Sequence, residues 1–370
     1  MTNDNHKVRV WDLPTRLFHW LLAALVVVGL VTGFLSPEWW MDIHVWAGYG
    51  IVVLVVFRLI WGVFGPQYSR FSSFAFAPRE VFEHLRGVLM RRPAHYLGHN
   101  PAGAMMIFAL MAVLVAITVS GLLVLGGEEN QGPLAGVVRF PLGDAAKDVH
   151  EFLVYALMAM VVVHVAGVAV ESKMGGENLV ATMINGDKKL PAGTPPAALR
   201  RARPMAAAIS LGLFTLIAGS LLAAAAQMPP TGHQSLPAHS DYQSECSDCH
   251  QLYHPSLLPA KSWRGMMNNL EDHFGEDASL DDATGRDIAA YLTVYAGESW
   301  DTEAANRFLA VSPDDPWRIS ATPYWLRKHD EIAKESFALK GFGGKHNCDK
   351  CHQDAPGGAF DDQEIRIPKE

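Results

Sequence analysis

All four cysteines of the chain lie in two copies of one short motif. The copies are Cys246-Ser-Asp-Cys249-His250 and Cys348-Asp-Lys-Cys351-His352. In a C-x-x-C-H motif the two thiols hold the edge of a porphyrin through thioethers, and the histidine binds its iron. A redox dithiol or a four-cysteine zinc site would also use the cysteines. Neither explains why a histidine follows each pair, so the motif favours two covalently bound c haems.

Each c haem needs a second axial ligand or an open coordination position. A methionine ligand would raise the reduction potential, but Met266 and Met267 lie in an apparent helix and are also expected in a core. Four histidines of the same region are further candidates: His254, His273, His329 and His346. The residue types alone leave the choice among them open.

Four other histidines lie at the ends of apolar runs. They are His19, His44, His150 and His164. An ionisable side chain inside a bilayer is costly, and its default interpretation is functional. His150 and His164 are fourteen residues apart, so they share a helix face about 21 Å apart. The spacing predicts two stacked b haems, with His44 paired with His150 at the outer side and His19 paired with His164 at the inner side.

One arginine, Arg58, lies deep in the second apolar run. It follows His44 by fourteen residues, so we expect it on the same helix face, at the level of the inner haem. No Asp or Glu lies in the centre of any run, which makes a haem propionate the expected partner. The alternative is that Arg58 extends to the inner headgroups. Arg16, one turn before His19, is a candidate for the second propionate.

Five apolar runs approach the roughly 20 residues that span a bilayer. They cover residues 17–35, 43–64, 103–125, 149–170 and 205–226. The segments between runs two and three and between runs four and five are basic, and the other loops are acidic. The positive-inside rule therefore places the N-terminus in the cytoplasm and the chain after Gln227 outside. The fifth run is equally similar to an internal signal sequence with a cleavage site.

Composition and charge agree with a partly membrane-embedded protein. Of 370 residues, 49% are apolar and 18% charged, which excludes a disordered chain. The net charge of −8 argues against a nucleic-acid partner. The first 226 residues carry a net +3, whereas the rest has 13 Lys and Arg against 24 Asp and Glu, a net −11. This asymmetry predicts two compartments.

The C-terminal part resembles the bacterial dihaem cytochrome c family. The resemblance covers nearly all of 241–368 and is carried by ECSDCHQLYHPSLLPAKSWRGMMNNLEDHFGEDASL, RISATPYWLRKHD and NCDKCHQDAPGGAFDDQEIRIP. It implies two bis-histidine haems, with His273 and His329 as the distal ligands. The resemblance does not say which of them serves which haem, and His254 remains a competitor beside the first motif.

Residues 7–190 resemble bacterial cytochrome b561, a family that includes the b-type subunits of nickel–iron hydrogenases. The resemblance rests on VWDLPTRLFHW, on HVWAGYG with RLIWG, and on NLVATMINGDKK. It implies a four-helix bundle with two b haems that exchanges electrons with quinone. The fifth run and the cytochrome c part exceed that bundle, and no motif for nickel or an iron–sulfur cluster is present.

Together these features predict an all-α protein. We predict a membrane domain over residues 1–190 and a dihaem cytochrome c domain over 241–370. Between them, residues 191–240 form two linkers on either side of the fifth helix, at about 205–226. We expect a protein of the bacterial inner membrane with a periplasmic C-terminal domain. The sequence leaves the oligomeric state open, including a homo-oligomer.

The predicted function is electron transfer between the quinone pool and a soluble periplasmic haem protein, through two b haems and two c haems. This corresponds to a quinol:cytochrome c oxidoreductase in which no side chain does bond chemistry. Alternatives are a superoxide-oxidising quinone reductase and a membrane anchor that connects a periplasmic dehydrogenase to quinone. The acidic outer loops argue against the first. A haem-based gas sensor is disfavoured, because bis-histidine iron leaves no open coordination position.

Overall fold

The computed structural model describes residues 7–37, 40–92, 94, 96–189, 200–232, 234–338 and 343–367. Its twelve α-helices within these residues are α1 (Leu13–Phe34), α2 (Met41–Phe64), α3 (Pro78–Leu89), α4 (Pro101–Gly127), α5 (Phe140–Gly175), α6 (Leu179–Asn185), α7 (Pro204–Ala225), α8 (Ser240–Cys246), α9 (Ala260–Met267), α10 (Asp282–Val294), α11 (Glu303–Phe308) and α12 (Pro323–Lys328). The predicted all-α class is confirmed. The first part of the predicted linker, 191–199, lies outside the described residues.

Five helices, α1, α2, α4, α5 and α7, are long and apolar enough to cross a membrane. They coincide with the five apolar runs, but α5 has 36 residues. At 1.5 Å per residue it is about 54 Å long, well beyond a hydrocarbon core of about 30 Å. Its first turns, around Asp144 and Asp148, are polar, and hydropathy alone therefore placed the start of the run near 149.

The chain folds into two compact units. The first comprises residues 1–37, 42–121 and 147–221, and the second comprises 38–41, 122–146 and 222–370. The connection between α4 and α5 therefore packs with the C-terminal residues rather than with the bundle. The sequence did not indicate this division, because a loop between two hydrophobic runs carries no signal of the surface that it contacts.

A four-helix core holds the first unit together. Buried side chains from α1, α2, α4 and α5 form one apolar cluster: Phe18, Ile51, Val55, Met111, Leu114, Ile117 and Leu157. Many other apolar side chains on these helices are exposed, among them Trp46 and Val162. A helix that is apolar on all sides is expected where the outer face meets lipid.

A short antiparallel ribbon joins the start of the chain to the segment after α5. Strand β1 (Lys7–Arg9) pairs with β2 (Asp187–Lys189), and Arg9 lies opposite Asp187. The turn before β2 uses Gly186 at φ 88°, and a Cβ there would lie 2.4 Å from the Trp11 carbonyl oxygen. Only glycine fits this close approach. The ribbon thus brings together the two segments VWDLPTRLFHW and NLVATMINGDKK.

The second unit has short helices and two apolar clusters. One surrounds Trp263 and Ile288, and Met266 and Met267 pack against it. The other surrounds Leu257 and Trp325. The two methionines are thus core residues, as one interpretation of the sequence expected. Helix α9 ends at Met267, where two asparagines follow and the chain turns.

Candidate haem-binding sites

The outer pair of membrane histidines lies between α2 and α5. The ring centroids of His44 and His150 are 6.2 Å apart. The Nδ1 of His44 bonds to the Gly29 carbonyl oxygen at 3.1 Å, and the Nδ1 of His150 bonds to the Ile117 carbonyl oxygen at 3.0 Å. A carbonyl only accepts, so each Nδ1 donates a hydrogen and each Nε2 keeps the lone pair that a metal needs.

These two histidines have matching surroundings on α1 and α4. Three residues after each carbonyl a hydroxyl contacts the same Nδ1, from Thr32 at 3.2 Å and from Ser120 at 3.1 Å. The next residue is glycine in both helices. A Cβ on Gly33 would lie 3.3 Å from Cε1 of His44, and one on Gly121 would lie 3.1 Å from Cε1 of His150. Glycine therefore leaves room for each ring.

The inner pair lies between α1 and α5. The ring centroids of His19 and His164 are 6.4 Å apart. The Nδ1 of His19 is buried and has no hydrogen-bond partner among the described residues. A buried nitrogen without a partner is costly. With His150 and His164 on one helix, the two pairs are arranged along α5 as their spacing predicts.

The first C-x-x-C-H motif follows α8, where Cys246 is the last helical residue. The ring of its histidine, His250, lies 6.2 Å from that of His273, centroid to centroid. The Nδ1 of His250 bonds to the Gln251 carbonyl oxygen at 2.7 Å, which again leaves Nε2 for a metal. His273 is held in a tight bridge with Glu276.

The second motif pairs with the histidine that follows α12. The ring centroids of His329 and His352 are 6.2 Å apart. The Nδ1 of His329 bonds to the Trp325 carbonyl oxygen at 2.9 Å. The His329 ring is stacked on the Trp325 ring at 4.3 Å, with 11° between the planes. These two contacts fix both the tautomer and the plane of the ring. In the structure His273 therefore faces His250, and His329 faces His352.

All four histidine pairs therefore have nearly the same separation, between 6.2 and 6.4 Å. Two imidazoles on opposite sides of one iron would each contribute a bond of about 2.0 Å and the radius of a ring, which gives about 6 Å between centroids. Directly contacting imidazoles would lie closer. The donor set and the spacing fit bis-histidine haem.

The alternative uses of the cysteines fit less well. The only group of three or more metal-binding side chains within the described ranges is Glu128, Glu129 and Glu303, so the cysteines do not gather around one zinc ion. Burial raises the pKa of Cys246 and of Cys348 to about 11. A redox-active dithiol requires a lowered thiol pKa instead.

Comparison with known proteins gives the family. A family model described as prokaryotic cytochrome b561 matches residues 10–186, and one described as dihaem cytochrome c matches residues 242–360. A probable Ni/Fe-hydrogenase B-type cytochrome subunit from Cupriavidus necator is 30% identical over 208 residues, which are 48% of this chain and 85% of that protein. The chain belongs to the prokaryotic cytochrome b561 family. Its C-terminal part is a dihaem cytochrome c.

Other relatives agree for each part. For the cytochrome b561 part, the probable Ni/Fe-hydrogenase 1 B-type cytochrome subunit of Escherichia coli K12 is 27% identical, over 48% of this chain and 88% of that protein. A solved dihaem cytochrome c from Rhodobacter sphaeroides is 41% identical and covers 34% of this chain and all of that one, with a TM-score of 0.30. A dihaem cytochrome c from Shewanella baltica is 34% identical, with coverages of 36% and 94% and a TM-score of 0.30. The two matched families and the five long apolar helices make this cytochrome b561 a multi-pass membrane protein of electron transfer that carries b-type and c-type haem.

His254 has a different environment from the paired histidines. It is buried, its Nδ1 lies 2.7 Å from the Ser256 hydroxyl, and its ring lies edge-on against Trp300 at 4.6 Å. Burial lowers its pKa to about 4. The structure pairs His250 with His273, and it gives His254 a place in the packing of the dihaem cytochrome c domain.

Arg16 and Arg58, the two arginines considered as propionate partners, lie among protein acceptors. The Arg16 guanidinium donates to the Ile184 carbonyl oxygen, and its Nε is buried without a partner among the described residues. Arg58 is buried at 3% exposure, donates to the Ser69 carbonyl oxygen at 3.0 Å and lies over the Phe71 ring. The protein thus offers Arg58 a backbone acceptor, which the absence of Asp and Glu from the centres of the runs did not indicate, because the loop after α2 folds back to it. The same geometry excludes an Arg58 that faces lipid.

The sequence indicated the histidines but not the residues that hydrogen-bond to their rings or leave room for them. Gly29, Gly48 and Gly167 are small residues on the helices that carry these histidines. A Cβ on any of these three would meet no protein atom within 4 Å, and Gly29 acts through its carbonyl. The glycines that the histidine rings require are Gly33 and Gly121. The sequence does contain a pattern that marks these two glycines: a hydroxyl residue precedes each of them, as Thr32-Gly33 in α1 and as Ser120-Gly121 in α4.

Proposed function

We propose that the chain takes electrons from quinol, passes them through two b haems and two c haems, and delivers them to a soluble haem protein in the periplasm. The observation that carries the proposal is the set of four histidine pairs at one spacing in a single chain. Haem iron supplies the one-electron chemistry when it is bound. The side chains bind it, set its ring orientation and exclude water.

In this proposal the eight paired histidines would bind the irons of the four haems, and the four cysteines would form the thioethers. Carbonyl oxygens fix the Nδ1 of His44, His150, His250 and His329, and such outer hydrogen bonds also raise the basicity of a ligand. Arg16, with its free Nε, is the candidate for a haem propionate. Arg58 is also a candidate for a propionate, through the guanidinium N–H groups that do not donate to the Ser69 carbonyl oxygen.

We also propose an orientation in the membrane. The arginine-rich segment between α2 and α4 would be cytoplasmic, and the dihaem domain that follows Gln227 would be periplasmic. We further propose that the membrane domain ends near residue 190 and that the dihaem domain begins near residue 240. Alkaline phosphatase fused after Gly98 should then be inactive, and the same enzyme fused after Gln227 should be active. The opposite pattern would exchange the inner and outer histidine pairs.

The proposed acceptor is a basic haem protein. The chain from residue 227 onward has a net charge of −11, and opposite charges increase the rate of encounter between partners. Because exposed charges are screened by salt, the second-order rate of electron delivery should fall as ionic strength rises.

A second candidate function comes from the relatives. Proteins similar to the first half of the chain are described as B-type cytochrome subunits of Ni/Fe-hydrogenases. A chain of that kind would connect a separate dehydrogenase to quinone and would need that enzyme for turnover. The covalently attached dihaem domain favours our first proposal, because it provides an electron carrier within the same chain.

One experiment separates the two functions. The purified single chain is mixed with decylubiquinol and a basic cytochrome c, and reduction of the latter is followed spectrophotometrically. We expect steady turnover without any added subunit. A chain with a full haem content that exchanges electrons with decylubiquinol but does not reduce the cytochrome c without an added subunit would contradict the proposed function and favour the subunit role.

A further inference from the structure

The loop segments between α2 and α4 line a half-open cavity of about 390 Å³. Polar and aromatic side chains line it together: Gln67, Tyr68, Ser73, Phe76, Tyr96 and His99. Small-molecule sites are typically clefts of about 300–1,000 Å³ with a few polar groups among apolar ones. The composition and size of this cavity therefore suit a flat organic ring with polar substituents.

His99 is the distinctive group of the cavity. Its ring lies between Trp11, at 4.5 Å, and Phe74, at 4.4 Å. Its Nδ1 is buried and has no hydrogen-bond partner among the described residues. Burial, together with the charges of Arg58 and Lys188, lowers the pKa of His99 to about 3. The ring is therefore neutral and offers a hydrogen-bond acceptor as well as a donor.

The cavity lies at the end of the bundle that holds the inner histidine pair. Trp11, which contacts His99, comes two residues before α1, and His19 is in the second turn of that helix. The Lys188 ammonium group donates to the Tyr96 carbonyl oxygen at 3.4 Å, which ties the cavity wall to β2. Since β2 pairs with β1, the wall and the start of α1 are held by the same ribbon.

We propose that this cavity binds the ring of quinol, with His99 accepting a hydrogen bond from one quinol hydroxyl. This inference rests on the proposed function and adds the location of its substrate. Quinol gives up two electrons and two protons and leaves as quinone. The electrons would pass one at a time to the haem that His19 and His164 would hold, since haem iron supplies one-electron chemistry when it is bound. The protons are released to water at this end of the bundle.

Two variants test the site. His99→Phe keeps a ring between Trp11 and Phe74 but removes the hydrogen-bonding nitrogens. We expect the KM for decylubiquinol to rise about tenfold, the loss typical of one hydrogen bond. Leu97→Trp adds bulk at the cavity wall and should also raise the KM. Its matched control is Leu89→Trp, on a side chain that is 85% exposed on α3 and does not line the cavity, and it should behave like the wild type.

Each protein is first reduced with dithionite to show that its haem spectrum is complete. An unchanged KM and kcat in both cavity variants, while the wild type turns over decylubiquinol, would overturn the site and leave the proposed function intact. A wild type with all its haems but no activity with decylubiquinol would instead contradict the proposed function, and the site with it. If His99→Phe loses haem, the comparison of Leu97→Trp with Leu89→Trp decides the question.

Discussion

Replacing Gly121 with valine should remove the outer b haem from the membrane domain. A Cβ at this position already lies 3.1 Å from the His150 ring, and valine adds two methyl groups that the packed α4–α5 contact cannot accept. The ring would rotate or shift away from His44. Gly33→Val should act on His44 in the same way, since its Cβ would lie 3.3 Å from that ring. We expect half of the extractable haem to be lost in either variant.

The matched control is Gly219→Val in α7. A Cβ at Gly219 meets no atom within 4 Å, and the substitution makes the same change of helix propensity and volume. It should keep all of the extractable haem. Quinol-dependent reduction of the c haems should fall to the background rate in Gly121→Val and be normal in Gly219→Val. Full b-haem content in both Gly33→Val and Gly121→Val would contradict the role of these glycines.

Replacing His164 with alanine should remove the inner b haem and leave the c haems attached. The imidazole is one of two axial ligands in our proposal, and alanine offers no replacement. The thioethers form at Cys246, Cys249, Cys348 and Cys351, which are in the other compact unit. Haem is extracted with acid-acetone and measured against the covalent haem that stays with the protein, and the ratio should fall to about half of the wild-type value.

The control for this variant is His254→Ala, because His254 is a buried histidine outside the four pairs. Its extractable b haem should equal that of the wild type. Quinol-dependent reduction of the c haems should be lost in His164→Ala. Normal quinol kinetics in a variant shown to lack the inner haem would move the site of quinol oxidation to the outer side.

The sequence was sufficient to predict how the four membrane histidines pair, but not how the histidines of the dihaem domain pair. His150 and His164 are separated by fourteen residues, close to a whole number of helical turns, so both the shared face and the vertical distance follow from helix geometry. Hydropathy gave the five long helices for a similar reason, because about 20 apolar residues are needed to cross a bilayer. Helical spacing and the length of apolar runs can both be read from a single sequence.

Contacts between distant segments were not predictable in the same way. The Ser69 carbonyl that receives Arg58 is a backbone group in a loop, and any residue type would provide it. The packing of residues 122–146 within the C-terminal unit depends on tertiary contacts, such as the ion pair of Arg307 with Asp144 at 2.6 Å. The roles of Gly33 and Gly121 required knowing which ring each glycine faces, and that is set by how the helices pack.

The number and type of haems test the central claim most directly. Purified protein is treated with acid-acetone, and pyridine haemochrome spectra are recorded for the extract and for the residual protein. Four bis-histidine sites, two of them with thioethers, predict two extractable b haems and two covalent c haems per chain. Any other ratio than one to one would contradict the account, as would a residual protein that carries a single covalent haem.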